Sequence, residues 1–127
     1  MMRVLLIGLA GAMGTVTRYL VGLWAGKTLG AGFPYGTLTV NVVGCFLIAA
    51  ITHVAISTTL ISPTLRLTLT TGFMGGLTTY SSFNLETTQF IQSRAWYTAF
   101  VNIGATAVGC FVAGLLGFAL ARRLVGP

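Results

Sequence analysis

Residues 68–90 read TLTTGFMGGLTTYSSFNLETTQF. The stretch is too polar to face lipid. It carries Gly72, Gly75 and Gly76, followed by Thr78, Thr79, Ser81, Ser82 and Asn84. Two adjacent glycines inside a membrane helix invite a break. Broken backbone at membrane depth persists only where other groups satisfy its amides and carbonyls: a second subunit, water or a bound ion. Freed carbonyls are hard oxygen ligands suited to a cation such as Na⁺. The competing reading is a packing kink in which Ser and Thr hydroxyls bond back to their own helix. Spacing alone leaves both open.

Outward from this stretch the chain is strongly apolar. Its 127 residues are 55% hydrophobic and 6% charged, and the mean hydropathy is +0.91. A soluble domain carries about 25% charged residues. A surface this poor in charge aggregates in water, so the bilayer is the natural solvent. Spanning helices need roughly 20 mostly apolar residues. Charges and turn signals divide the chain into four such segments, near residues 4–24, 34–57, 66–92 and 95–121. Gly30, Gly32 and Pro34 mark the first connection, Ser62-Pro63 the second, and Gln92, Ser93 and Arg94 the third. Three short loops leave no room for an extramembrane domain. The predicted fold is an all-α integral membrane protein, a single domain of four transmembrane helices with the third broken near its middle.

The formal net charge is +6, from seven Lys/Arg against one acid, Glu86. These cations are scattered and form no basic stripe with interleaved aromatics, so nucleic acid is not an expected partner. Most flank spans. With four spans both termini lie on one side, with Arg3, Arg66, Arg122 and Arg123, against Arg18, Lys27 and Arg94 on the other. Four against three is too small a bias to fix orientation. Insertion in both orientations, and hence an antiparallel homodimer, is one expectation; a fixed topology with weak signals is the other. Gly8, Gly11 and Gly14, with the pairs Gly22/Gly26 and Gly72/Gly76, suit close helix packing in lipid.

Helical spacing sorts the remaining polar groups into tracks. Ser81, Asn84 and Thr88 share one stripe, and Tyr80, Phe83 and Thr87 the next. Thr37 and Asn41 lie a turn apart on the second span; Asn102, Thr106 and Cys110 occupy successive turns of the fourth. Polar groups inside membranes face the protein interior or a water-filled path. Tracks on three spans indicate a hydrophilic pathway. Hydroxyls and amides donate hydrogen bonds, aromatic edges are positive, and Arg18 adds positive charge near one membrane end. Such a conduit favours a small anion that accepts hydrogen bonds well. Arg18 is equally explained as a side chain snorkelling to the headgroups. Glu86 is expected to pair with Arg18 or another arginine, or to reach the interface, and His53 to be interfacial. Cys45 and Cys110 read as buried thiols, with no zinc-ligand spacing.

The run GFMGGLTTYSSFNLE at 72–86 resembles the signature of the CrcB/Fluc fluoride-channel family. GTVTR at 14–18 and YGTLTVN at 35–41 resemble that family's first- and second-span motifs, so the likeness covers essentially the whole chain. The resemblance implies a dual-topology homodimer in the bacterial inner membrane with two F⁻ pores. It implies a structural, untransported Na⁺ held by the backbone carbonyls of Gly75 and Thr78. It implies a pore asparagine, Asn41, two pore aromatics, Tyr80 and Phe83, polar-track residues Thr37, Ser81 and Ser82, and a vestibule arginine, Arg18. The sequence departs from the pattern at Tyr80, where phenylalanine is common, and on the fourth span, at Asn102 and Cys110, where hydroxyl residues are common. A small multidrug transporter, also of four spans, would need an intramembrane carboxylate in its first span, and this one has none. A non-transporting scaffold would explain the glycines but not the aligned polar tracks. No nucleophile–base pair, metal cluster or phosphate loop suggests an enzyme.

Overall fold

The computed structural model describes residues 1–127 and is entirely helical. Helix α1 covers Met2–Thr28, α2 Tyr35–Ser57, α5 Tyr80–Gln92 and α6 Trp96–Val125. Between α2 and α5 the chain forms α3, Pro63–Leu67, a π-helical stretch, Thr68–Met74, and α4, Gly75–Leu77. Three helices, α1, α2 and α6, are long and apolar enough to cross a membrane. The fourth crossing element is the bent one, assembled from the pieces at 63–77 and 80–92.

Local chemistry sets the ends. Gly30 takes a φ of 90° just beyond α1, a conformation that costs glycine little. Ser62 caps α3 by accepting from the Leu65 N–H at 3.2 Å, and Pro63 fills the first helical position, where no N–H is needed. The α5–α6 turn is a Schellman motif: Ala95 N–H donates to the Phe90 carbonyl at 2.8 Å and Arg94 N–H to that of Ile91 at 3.1 Å. Arg94 occupies its left-handed position, φ 59°, where glycine is usual.

Two features of the bent element correct the expectation of a break at the paired glycines. Gly75 has helical angles, φ −62° and ψ −36°. The chain leaves the helix at Thr78 and Thr79, with ψ of 154° and 116°. Upstream, the π-helical stretch widens a turn, while Thr68 and Thr70 hydroxyls donate back to the carbonyls of Thr64 and Arg66 at 2.9 and 2.8 Å. The glycines serve packing instead. A Cβ on Gly14 would strike the Phe73 carbonyl, and one on Gly76 would strike the Gly11 carbonyl. Backbone therefore meets backbone where α1 crosses the π-helical stretch and α4.

Packing separates the halves of the bent element. The segment 63–77 lies against α1, whereas α5 lies against α6; α2 runs along α6 and touches both halves. Only 16 of 127 residues are buried, and large apolar side chains along α1 and α6 stay exposed. An isolated chain in water could not tolerate that surface, so lipid or another chain must cover it.

Candidate functional site

Asn41, buried on α2, sits directly at the break. Its Oδ1 accepts from the Thr79 N–H at 2.7 Å and its Nδ2 donates to the Thr79 carbonyl at 3.0 Å. Unbroken helix would send the Thr79 N–H to the Gly75 carbonyl. Thr79 Oγ1 accepts from the Ser82 N–H at 3.2 Å, capping α5. That amide would otherwise bond the Thr78 carbonyl. Asn41 and Thr79 thus divert the helical donors of Gly75 and Thr78. A third freed carbonyl, that of Gly76, accepts from Arg18 Nε at 3.1 Å. The arginine also places positive charge at the C-terminal end of α4, where carbonyl dipoles converge.

A groove of about 460 Å³ opens beside the break, lined by Asn41 and Cys45 from α2, Thr78, Thr79, Tyr80 and Phe83 from the bend, and Ile103, Thr106, Ala107 and Cys110 from α6. Tyr80 and Phe83 form a tilted ring pair, centroids 5.5 Å apart at 59°, with Tyr80 79% exposed. The Asn41 amide nitrogen carries two hydrogens, one of which Thr79 uses. The groove is therefore lined by an amide, hydroxyl-bearing and aromatic residues on an apolar wall, with no carboxylate among them.

Five of the predicted pathway residues, Asn41, Tyr80, Phe83, Thr106 and Cys110, meet in this groove, together with Thr78. Ser81 and Ser82 stand next to it, their hydroxyls 3.1 and 3.2 Å from Thr79 Oγ1. Thr37 lies elsewhere, in a second cavity of about 340 Å³ with Glu86, Gln89 and the α1–α2 connection. Its hydroxyl donates to Glu86 Oε1 at 2.6 Å, while Glu86 Oε2 is buried without a partner. Glu86 pairs with a threonine, not with an arginine. Asn102 is 1% exposed and donates to Thr87 Oγ1 at 2.9 Å, joining α6 to α5. Arg18 is fastened to α4 rather than lining the groove. His53 is buried, its Nε2 2.9 Å from the Gly126 carbonyl, which ties the C-terminal end to α2. Sequence reasoning overlooked Thr79; its signal was a threonine three residues before a serine where helix resumes. It also overlooked Cys45 as a groove residue.

The donor chemistry fits a hard cation at the bend: Gly75 and Thr78 supply neutral backbone oxygens deprived of their helical donors, and Gly75 lies on the exposed side of α4. No cluster of His, Cys, Asp and Glu competes for the role.

Apolar helices of spanning length around a bent element define a small multi-pass membrane protein. The chain belongs to the CrcB-like family: the family model described as "CrcB-like protein, Camphor Resistance (CrcB)" matches residues 5–118. It is 55% identical over 119 residues, 94% of each chain, to a protein of Sorangium cellulosum (strain So ce56) named "Fluoride-specific ion channel FluC". Proteins of the same name from Geobacter metallireducens (strain ATCC 53774 / DSM 7210 / GS-15) and Anaeromyxobacter sp. (strain K) are 47% and 45% identical. Those matches cover 98% and 99% of this chain and 100% of each relative. These relatives are bacterial and named as channels, not enzymes. With its apolar helices, the chain is a multi-pass protein of the bacterial inner-membrane type.

Proposed function

We propose that the chain forms a fluoride-selective channel that lets F⁻ leave the cytoplasm passively down its electrochemical gradient. The observation that carries this reading is the groove at the helix break. There Asn41, Tyr80 and Phe83 line one space with no carboxylate in its wall. Such groups replace the hydration of a small anion and leave a cation without counter-charge. The names of the relatives supply the identity of the anion.

The working unit in this reading is an antiparallel, dual-topology homodimer. Ser81, Asn84 and Thr88 are all exposed on one face of α5. Polar side chains at membrane depth require a cover other than lipid tails, and a second chain provides it. The near-balanced flanking charge supports insertion in both orientations. A structural Na⁺ would be held by the carbonyls of Gly75 and Thr78 from both chains. It would offset the repulsion of carbonyl dipoles brought together there.

The test is F⁻ efflux from liposomes carrying the purified protein, read with a fluoride electrode while Cl⁻ flux is followed in parallel. Rapid F⁻ release with little Cl⁻ movement is the expected result. No F⁻ release from folded protein with Na⁺ present would overturn the channel reading.

A further inference from the structure

Cys45 and Cys110 are both free and both line the groove, one from α2 and one from α6. They lie near the middle of their helices, Tyr35–Ser57 and Trp96–Val125. The seam between those helices is tight at this level. A Cβ on Gly109 would lie 3.3 Å from Val42 Cγ2, and one on Gly114 would lie 3.8 Å from the Cys45 carbonyl. That register sets Cys110 against the Asn41–Cys45 turn, and both cysteines line the same groove. Two soft donors thus share one wall of an accessible cavity, with no third His, Cys, Asp or Glu grouped with them.

We infer that Cys45 and Cys110 form a two-thiol site for a soft d¹⁰ metal ion that accepts linear coordination, Hg²⁺ being the best match. Thiolate sulfur selects soft metals over hard ones, and two ligands suffice for a linear ion although they would not complete a zinc site. Binding breaks two S–H bonds and forms two S–Hg bonds, and both protons pass to solvent through the groove. No electron is transferred. The product is electrically neutral, which matters at membrane depth, where an uncompensated charge is costly. A hard cation such as Na⁺ or Mg²⁺ gains nothing from sulfur ligands.

Metal binding is independent of the channel reading; its effect on flux rests on that reading, because the metal would stand beside Asn41 and Phe83. The experiment titrates the purified full chain with HgCl₂. It follows thiolate-to-mercury charge-transfer absorption and counts the thiols left open to a maleimide. One Hg²⁺ per chain should protect both thiols and should resist an excess of monothiol competitor. Cys45→Ser and Cys110→Ser should each surrender the metal to that competitor. Wild-type protein that takes two Hg²⁺ per chain, one on each thiol, would overturn the site. So would a single-serine variant of unchanged elution profile that retains the metal. Flux is then read on the same wild-type sample. Block reversed by a dithiol agrees with both the site and the groove as anion route. Metal bound without block leaves the two-thiol site standing and removes the groove from the F⁻ path.

Discussion

The side-chain amide of Asn41 pairs with both backbone groups of Thr79, accepting from its N–H at 2.7 Å and donating to its carbonyl at 3.0 Å, across 38 positions of sequence. This pair ends the helix at the bend and prevents it from re-forming. Asn41→Ala would leave a buried amide and carbonyl unsatisfied, at about 1–3 kcal/mol for each group. A lower unfolding temperature in detergent and a loss of F⁻ efflux are expected. Asn41→Asp keeps the acceptor but sets a carboxylate oxygen against the Thr79 carbonyl at membrane depth, so it should be no more stable than Asn41→Ala.

Phe83 and Tyr80 are separable by side-chain chemistry. Phe83→Ile removes a positive ring edge from the groove while keeping apolar bulk. F⁻ flux should vanish with the elution profile unchanged; retained flux would remove Phe83 from the pathway. Tyr80→Phe keeps the ring and loses only an exposed hydroxyl, so efflux should persist.

The α1 crossing gives a paired stability test. A Cβ on Gly14 would overlap the Phe73 carbonyl and lie 2.9 Å from the Leu77 nitrogen, and neither backbone atom can yield without moving a helix. Gly14→Ala should destabilise by about 1–3 kcal/mol. Gly8→Ala, with nothing within 4 Å of its Cβ, should be neutral. Thermal melts of the two variants in one detergent make the comparison.

Arg94 holds a left-handed conformation at φ 59°. An L side chain pays roughly 1–2 kcal/mol there, and glycine avoids that strain. Arg94→Gly should therefore raise the unfolding temperature, less some gain in chain entropy of the unfolded state. A lower unfolding temperature would mean that the arginine side chain makes compensating contacts.

Replacing Na⁺ by a bulky organic cation throughout purification tests the cation proposed at Gly75 and Thr78. Loss of efflux together with a shift to smaller particles is expected. Efflux and size both unchanged would dismiss a structural Na⁺.

Much of the architecture was legible in the sequence because solvent preference is a local property. Composition required a bilayer, charges and prolines divided the spans, and Ser62-Pro63 and Arg94 marked turns that the structure contains. Glycine pairs announced close packing. Where the bend falls was not legible. Gly75 and Gly76 have the conformational freedom to break a helix, yet both remain helical, and α1 packs directly on Gly76. The break moves to Thr78 and Thr79, residues with no special backbone freedom, because Asn41 supplies a replacement hydrogen-bonding partner there. Thr37 illustrates the same limit: its spacing from Asn41 places both on one face, but the tertiary fold turns its hydroxyl to Glu86 in a different cavity. The sequence by itself determined that this protein lives in a membrane and is helical, and it left the third span open to either a break or a kink. Only the tertiary structure decided which backbone groups the interruption frees, because an amide is released where a distant side chain satisfies it better than its own helix does.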